Sequence, residues 1–220
     1  MGYHEDLLRI YDLLNGHFGD LHWWPAEGPF EVMVGAILTQ NTAWTNVEKA
    51  IAALKAKRLL SPEALSRIDE ATLSDVIRSS GYHRVKAMRL KSLVRFLLDE
   101  YSGDIETMSQ EELPALREKL LHIPGVGPET ADSILLYACG KPIFVSDTYT
   151  KRILHRHHLV AEAADGEQIR TLFMTHLPHD ASLFNQYHAL LVSTGKHFCR
   201  KVPKCDSCPL QMFRSATGPH

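Results

Sequence analysis

Residues 121 to 134 read LHIPGVGPETADSI, two helical patterns interrupted by Pro-Gly-Val-Gly-Pro. One continuous helix cannot pass through that run. Pro124 disfavours helical backbone at Ile123 and cannot donate to the preceding turn. Gly125 and Gly127 can take positive φ and carry no side chain. Pro128 pre-sets the first turn of a new helix, whose buried stripe is Ala131, Ile134, Leu135 and Ala138, and Gly140 ends it before Pro142. The expected product is a tight helix–turn–helix. Backbone N–H groups of Gly125, Val126, Gly127 and Thr130 would face outward at a helix N-terminus, which suits an anion. A nucleic-acid phosphate fits, since backbone amides read no sequence. A Gly-rich turn that binds nothing has the same letters.

Most other segments also carry helical spacing. Leu7, Tyr11, Leu14 and Phe18 share a face, as do Val47, Ile51 and Leu54, then Val85, Met88 and Phe96, then Leu113, Leu116 and Leu120. Leu183, Tyr187, Leu190 and Leu191 form a last stripe. Ser61-Pro62 reads as an N-cap followed by Pro at N1, and Ser109 with Glu112 as a capping box. Alternating patterns are missing, and Ile-Phe-Val at 143–145 is too short to count as a strand. The chain reads as all-α.

The 220 residues suffice for one large domain or two lobes, and 45% hydrophobic with 23% charged residues is ordinary for a soluble globular protein. No apolar run reaches membrane-spanning length, and the start of the chain resembles neither a signal peptide nor a lipidation site. The expected location is cytoplasmic, nucleoid-associated if DNA is bound. A net charge of −2 excludes a global basic field. Basic residues cluster locally at 150–158 and at 196–205, compatible with a phosphate backbone or with ordinary solvated surface.

Asp147, in VSDTYTKRIL, would alone read as the N-cap of the next helix. Its position some twenty residues after the hairpin suggests more. The run IPGVGPETADSILLYACGKPIFVSDTYTKRIL is similar to the helix–hairpin–helix and Gly/Pro–Asp element of the endonuclease III (HhH-GPD) superfamily of DNA glycosylases. AILTQNT at 36–42 and GYHRVKAMRL at 81–90 resemble two further blocks of that family. GKHFCRKVPKCDSCPL at 195–210 resembles its iron–sulfur loop. The resemblance spans roughly residues 5 to 214. It implies two helical lobes, residues 30–140 as a six-helix barrel with the hairpin and residues 1–29 plus 141–220 as the second, with the cleft between them. The implied partner is double-stranded DNA with a damaged base, bound by a monomer.

In bifunctional members a lysine two residues after the second hairpin glycine attacks the sugar. Glu129 stands there, and a carboxylate forms no Schiff base. The resemblance therefore implies a monofunctional glycosylase that leaves an abasic site, with Asp147 stabilising the cationic sugar and orienting water. That mechanism suits a base that leaves easily, such as an alkylated purine. The tryptophans agree: WWP at 23–25 and Trp44 after QNT resemble the 3-methyladenine DNA glycosylase III branch. This implies a base pocket of Trp24, Pro25 and Trp44 with Glu129 and Lys196 nearby, where an extruded base gains from flat walls. Each tryptophan could instead be core, and for Trp23 the two roles are equally open. Gln40 matches the residue that enters the space vacated by the flipped base, unless its amide satisfies a local turn. His83 or Tyr82 would wedge into the opposite strand, and Lys151 would add a DNA contact.

Cys199, Cys205 and Cys208 suggest a metal, while Cys139 reads as core. The family loop carries four cysteines spaced x6, x2 and x5. Here the first gap is x5 and the fourth position is Arg214. A 4Fe–4S cluster is implied with an incomplete ligand set; His197 or His220 as fourth ligand, zinc, or no metal remain open. Two other functions also remain: a glycosylase for oxidised pyrimidines or mismatches, and a non-catalytic DNA-binding or protein-interaction module.

Overall fold

The computed structural model describes residues 2–213. Among them there are helices and no strands: α1 Tyr3–Phe18, α2 Pro29–Leu38, α3 Trp44–Ala56, α4 Pro62–Arg67, α5 Glu70–Val76, α6 His83–Tyr101, α7 Ile105–Ser109, α8 Leu113–Leu121, α9 Pro128–Ser133, α10 Thr148–Arg156, α11 Gly166–His176 and α12 Ala181–His197. The all-α expectation holds. The chain divides into two compact units, one running up to Pro25 and resuming at Pro142, the other spanning Ala26–Lys141.

The 26–141 unit contains α2 to α9. Every residue of α2 from Val32 to Leu38 is buried, so this helix is apolar all round and central. Val47, Ile51 and Leu54 bury one face of α3 as their spacing predicts. Ser61 caps α4 by accepting from the Ala64 N–H at 3.2 Å. On α6 the expected stripe is wrong: Val85 and Met88 are exposed and Phe96 half-buried. The buried face is Ala87, Leu90, Leu93, Val94 and Leu97, together with Lys86. Polar residues between the apolar ones shifted the apparent phase by one position. The Ser109–Glu112 capping box is also absent. Ser109 ends α7, its hydroxyl donating to Ile105 O, and Glu112 is the N-cap of α8 without a side-chain bond.

Across the hairpin, α8 and α9 are joined by Arg117 and Asp132. Arg117 Nε and Nη2 donate to the two carboxylate oxygens at 2.7 and 3.2 Å, and Asp132 is buried. Such a two-pronged pair fixes orientation as well as distance. Beyond α9 the backbone widens into a π turn at Ile134–Ala138, with Ile134 and Leu135 buried and Ala138 half-buried.

The other unit packs α1 against α11 and α12, and α10 against α12. Leu7, Ile10 and Leu14 supply the buried face of α1. Residues 143–145 form no strand, yet all three are buried, and Phe144 stacks on Phe173 with ring centroids 3.6 Å apart. The Tyr187 hydroxyl donates to Leu7 O at 2.7 Å, which satisfies a fully buried phenol. A Cβ on Gly195 would lie 2.2 Å from Tyr149 Cδ1. Glycine there lets α12 approach the first turn of α10, where Asp147 sits.

Candidate functional site

In the 26–141 unit the hairpin is built as its sequence demands at Gly125 and differently at its neighbours. Gly125 has φ +88°, and a Cβ there would lie 2.3 Å from Arg89 Cγ, so both conformation and space require glycine. Gly127 is instead the N-cap of α9 with φ −93°, and a Cβ there would meet nothing within 4 Å. The fold does not need glycine at 127; a close approach from outside would. Val126 corrects the expectation of exposed amides. Its side chain is buried and its N–H donates to Ile123 O at 3.0 Å, closing the turn. Thr130 is also buried, and its hydroxyl accepts from Gln40 Nε2 at 2.9 Å.

Gln40 is held on the hairpin. Nε2 also donates to Gly125 O at 3.1 Å, and Arg89 Nη1 donates to Oε1. Its amide satisfies the hairpin rather than its own turn. His83, the first residue of α6, turns its ring to Ser74, with Nδ1 2.7 Å from the hydroxyl, whereas Tyr82 is 72% exposed. Glu129 is exposed in the first turn of α9, and Trp44 is half-buried at the start of α3.

The other unit carries the remaining candidates. Asp147 is the N-cap of α10, its Oδ1 accepting from the Thr150 N–H at 2.7 Å. Oδ2 lies 3.7 Å from His188 Nε2, longer than a hydrogen bond and within charge-pairing reach, and the Asp147 side chain is only 9% exposed. Burial pushes this carboxyl up, but the His188 ring and the Thr150 N–H outweigh burial and hold its pKa below the usual value. An almost buried carboxylate is thereby kept ionised at neutral pH. Trp24 is half-buried with its ring edge-on to Trp23 at 5.7 Å, and Lys196 Nζ lies 5.5 Å from the Trp23 ring centroid. The structure thus groups Trp23, Trp24 and Lys196; Pro25 is exposed, and Lys151 is half-buried on α10.

The comparisons with known proteins agree with these elements. The profile of the HhH-GPD superfamily of base excision DNA repair proteins matches residues 34–179, from α2 through the hairpin and Asp147 to the end of α11. The chain belongs to this superfamily. A candidate DNA repair glycosylase of Methanocaldococcus jannaschii is 45% identical over 95% of this chain and 96% of its own length. Endonuclease III of Thermotoga maritima is 31% identical over 83% of this chain and 81% of its own. The crystal structure of Helicobacter pylori 3-methyladenine DNA glycosylase bound to 1,N6-ethenoadenine superimposes with a TM-score of 0.76 at 28% identity, covering 89% of this chain and 98% of that one. The HhH-GPD chain is accordingly a base-excision DNA glycosylase by class.

In the cysteine loop of this HhH-GPD chain the described residues show no grouped set of metal ligands. Cys199 is buried, Cys208 half-buried and Cys205 exposed. Cys199 Sγ accepts from Arg156 Nη1 at 3.3 Å. Burial pushes the Cys208 thiol up, and the neighbouring Cys199 and Cys205 add to this. Among the described residues no three His, Cys, Asp or Glu side chains are grouped as a metal ion requires. Arg214 and His220 lie outside the described residues. The loop is instead tied down by arginines. Arg152 donates to Cys199 O at 2.7 Å, and Arg156 to Arg200 O at 2.7 Å and Lys201 O at 3.2 Å.

Two partners carried little signal in the sequence. His188 falls four residues after Phe184 and three before Leu191, on the buried face of α12, and that spacing marks it as an inward histidine. Arg89 has no such mark, because its role depends on where the hairpin folds back.

Proposed function

We propose that the chain is a monofunctional DNA glycosylase that removes alkylated purines such as 3-methyladenine and leaves an abasic site. The observation that carries this reading is the exposed carboxylate of Glu129 at the position where bifunctional relatives carry the attacking lysine. With no amine at that position, the bond is broken by water. Asp147 is the group for that chemistry. Its ionised carboxylate opposes the positive charge that develops on the sugar as the base departs, and it orients or deprotonates the water that attacks. The capping bond to Thr150 and the contact with His188 hold one orientation, so little reorganisation is needed.

The hairpin would grip the phosphate backbone without reading sequence, through glycine backbone at Gly125 and at the open surface of Gly127. Tyr82, which is more exposed than His83, is the better candidate to fill the opposite strand. Trp24, with Pro25 next to it in the chain, and Trp44 would each offer a flat face to an extruded base. Lys196 already covers one face of Trp23, so stacking falls to the other two. The preference for an alkylated purine rests on this aromatic set and on the likeness to the Helicobacter pylori enzyme.

The test is a duplex panel carrying 3-methyladenine, a stable alkylpurine analogue, an oxidised pyrimidine or a mismatched thymine, read as free base released. Release of the alkylpurines, abolished by Asp147→Asn, is expected. Release of the oxidised pyrimidine alone would replace this reading with the endonuclease III-like one, and binding without release would make the chain a DNA-binding module.

A further inference from the structure

We propose that Arg89 is a positioning residue that couples the Gln40 loop to the hairpin, so that gripping phosphate and filling the gap left by an extruded base are one event. The proposal rests on the DNA-binding reading above and concerns how the two elements share a duplex. Arg89 runs beneath the hairpin, in the space a Cβ on Gly125 would take. From there its guanidinium donates to Gln40 Oε1. The other end of the same amide donates to Gly125 O and to the Thr130 hydroxyl. Gln40 is thus held at both ends, by α6 on one side and by the turn and first helical turn of the hairpin on the other.

Lys86, one turn earlier on α6, strengthens the same arrangement. It is buried, and its ammonium donates to Leu38 O at 2.8 Å and Ser80 O at 2.7 Å, fixing the end of α2 just before Gln40 and the turn just before Tyr82. Neither cation has a carboxylate partner among the described residues. Two cations on one helix, balanced by carbonyl and amide oxygens alone, leave net positive charge behind the hairpin, where a phosphate would complete it. When Gln40 swings into a gap in the duplex it must leave Gly125 O and Thr130, and Arg89 is the group that can follow it or fall back on the hairpin.

The experiment compares two duplexes, one undamaged and one with a stable abasic analogue, for wild type, Arg89→Met, Gln40→Ala and the double variant. Arg89→Met keeps the methylene stem under Gly125 and removes the donors. Coupling predicts that each single variant loses about tenfold of the preference for the abasic duplex, the scale of one charge-assisted hydrogen bond, and that the double variant loses no more than either. Additive losses, or equal weakening on both duplexes with a shallower salt dependence, would overturn it and leave Arg89 as general positive charge. Should Arg89→Met not fold, Arg89→Lys carries the test: the charge stays and the reach is lost, so the preference should fall while the salt dependence does not. An Arg89→Lys protein with full preference would also overturn it. If wild type binds neither duplex, the DNA reading itself fails, which is distinct from a wild-type preference that survives in Arg89→Met.

Discussion

The hairpin and the cysteine loop are each about ten residues long, and each matches a family motif in sequence. They are held differently. The hairpin closes on itself, with Val126 bonding back to Ile123 and Arg117 clamping Asp132 from one helix to the other, and Gln40 from beyond the end of α2 spans Gly125 and Thr130. The loop from Cys199 to Cys208 is mostly exposed and is tied from outside, by Arg152 and Arg156 on α10. A motif whose glycines and prolines act through backbone sterics arrives with its geometry. A motif of ligands does not, because its side chains are drawn together by the metal they hold.

That contrast can be broken by substitution. The largest stability effect is expected from Asp132→Asn or Arg117→Met, each of which strands half of a buried pair. A loss of roughly 3–5 kcal/mol is expected in urea unfolding. Gly125→Ala should follow, at about 1–3 kcal/mol, because it places a side chain at positive φ and displaces Arg89. Gly127→Ala should leave stability within about 0.5 kcal/mol and yet weaken DNA binding, since its Cβ meets no protein atom and stands where a phosphate would approach. Equal instability of the two glycine variants would show that the hairpin is strained throughout. In the loop, Cys205→Ala should change the melting temperature least, and chelation before melting should leave it unmoved; a large drop in either would mean that the thiols gather around a metal in solution.

A pH effect separates Asp147 from both motifs. Its carboxyl is held below the usual range, so its contribution to stability is complete above about pH 4, the ordinary aspartate value, and is lost as pH falls through the lower folded value. The stability gap between wild type and Asp147→Asn should therefore narrow on acidification below pH 4. A gap constant down to pH 2 would show that the His188 contact does not act on this carboxyl.

The hairpin, the all-helical class and the N-cap at Asp147 were legible because each rests on local chemistry: Pro and Gly dihedrals, helical spacing, a short acid before a helix. Val85 and Met88 were misplaced because an amphipathic stripe fixes its phase only when the polar residues are solvated, and here the lysine at 86 goes inward. The Val126 amide lies in the motif, and its bond to Ile123 O within the turn is not marked by any spacing in the sequence. Gln40 was recognisable as special, but its docking on Gly125 and Thr130 depends on residues about ninety positions away. His188 and Arg89 act through long-range contacts that no spacing rule connects to Asp147 or to Gly125.

The central claim is that water, not an amine, breaks the glycosidic bond. The direct measurement is single-turnover product analysis on a duplex containing 3-methyladenine, with and without alkali and in the presence of borohydride. The account predicts an intact strand until alkali is added, and no covalent protein–DNA adduct on reduction. A nicked strand without alkali, or a borohydride-trapped adduct, would mean that a lysine elsewhere in the chain supplies the nucleophile, and the reading of Glu129 would be contradicted.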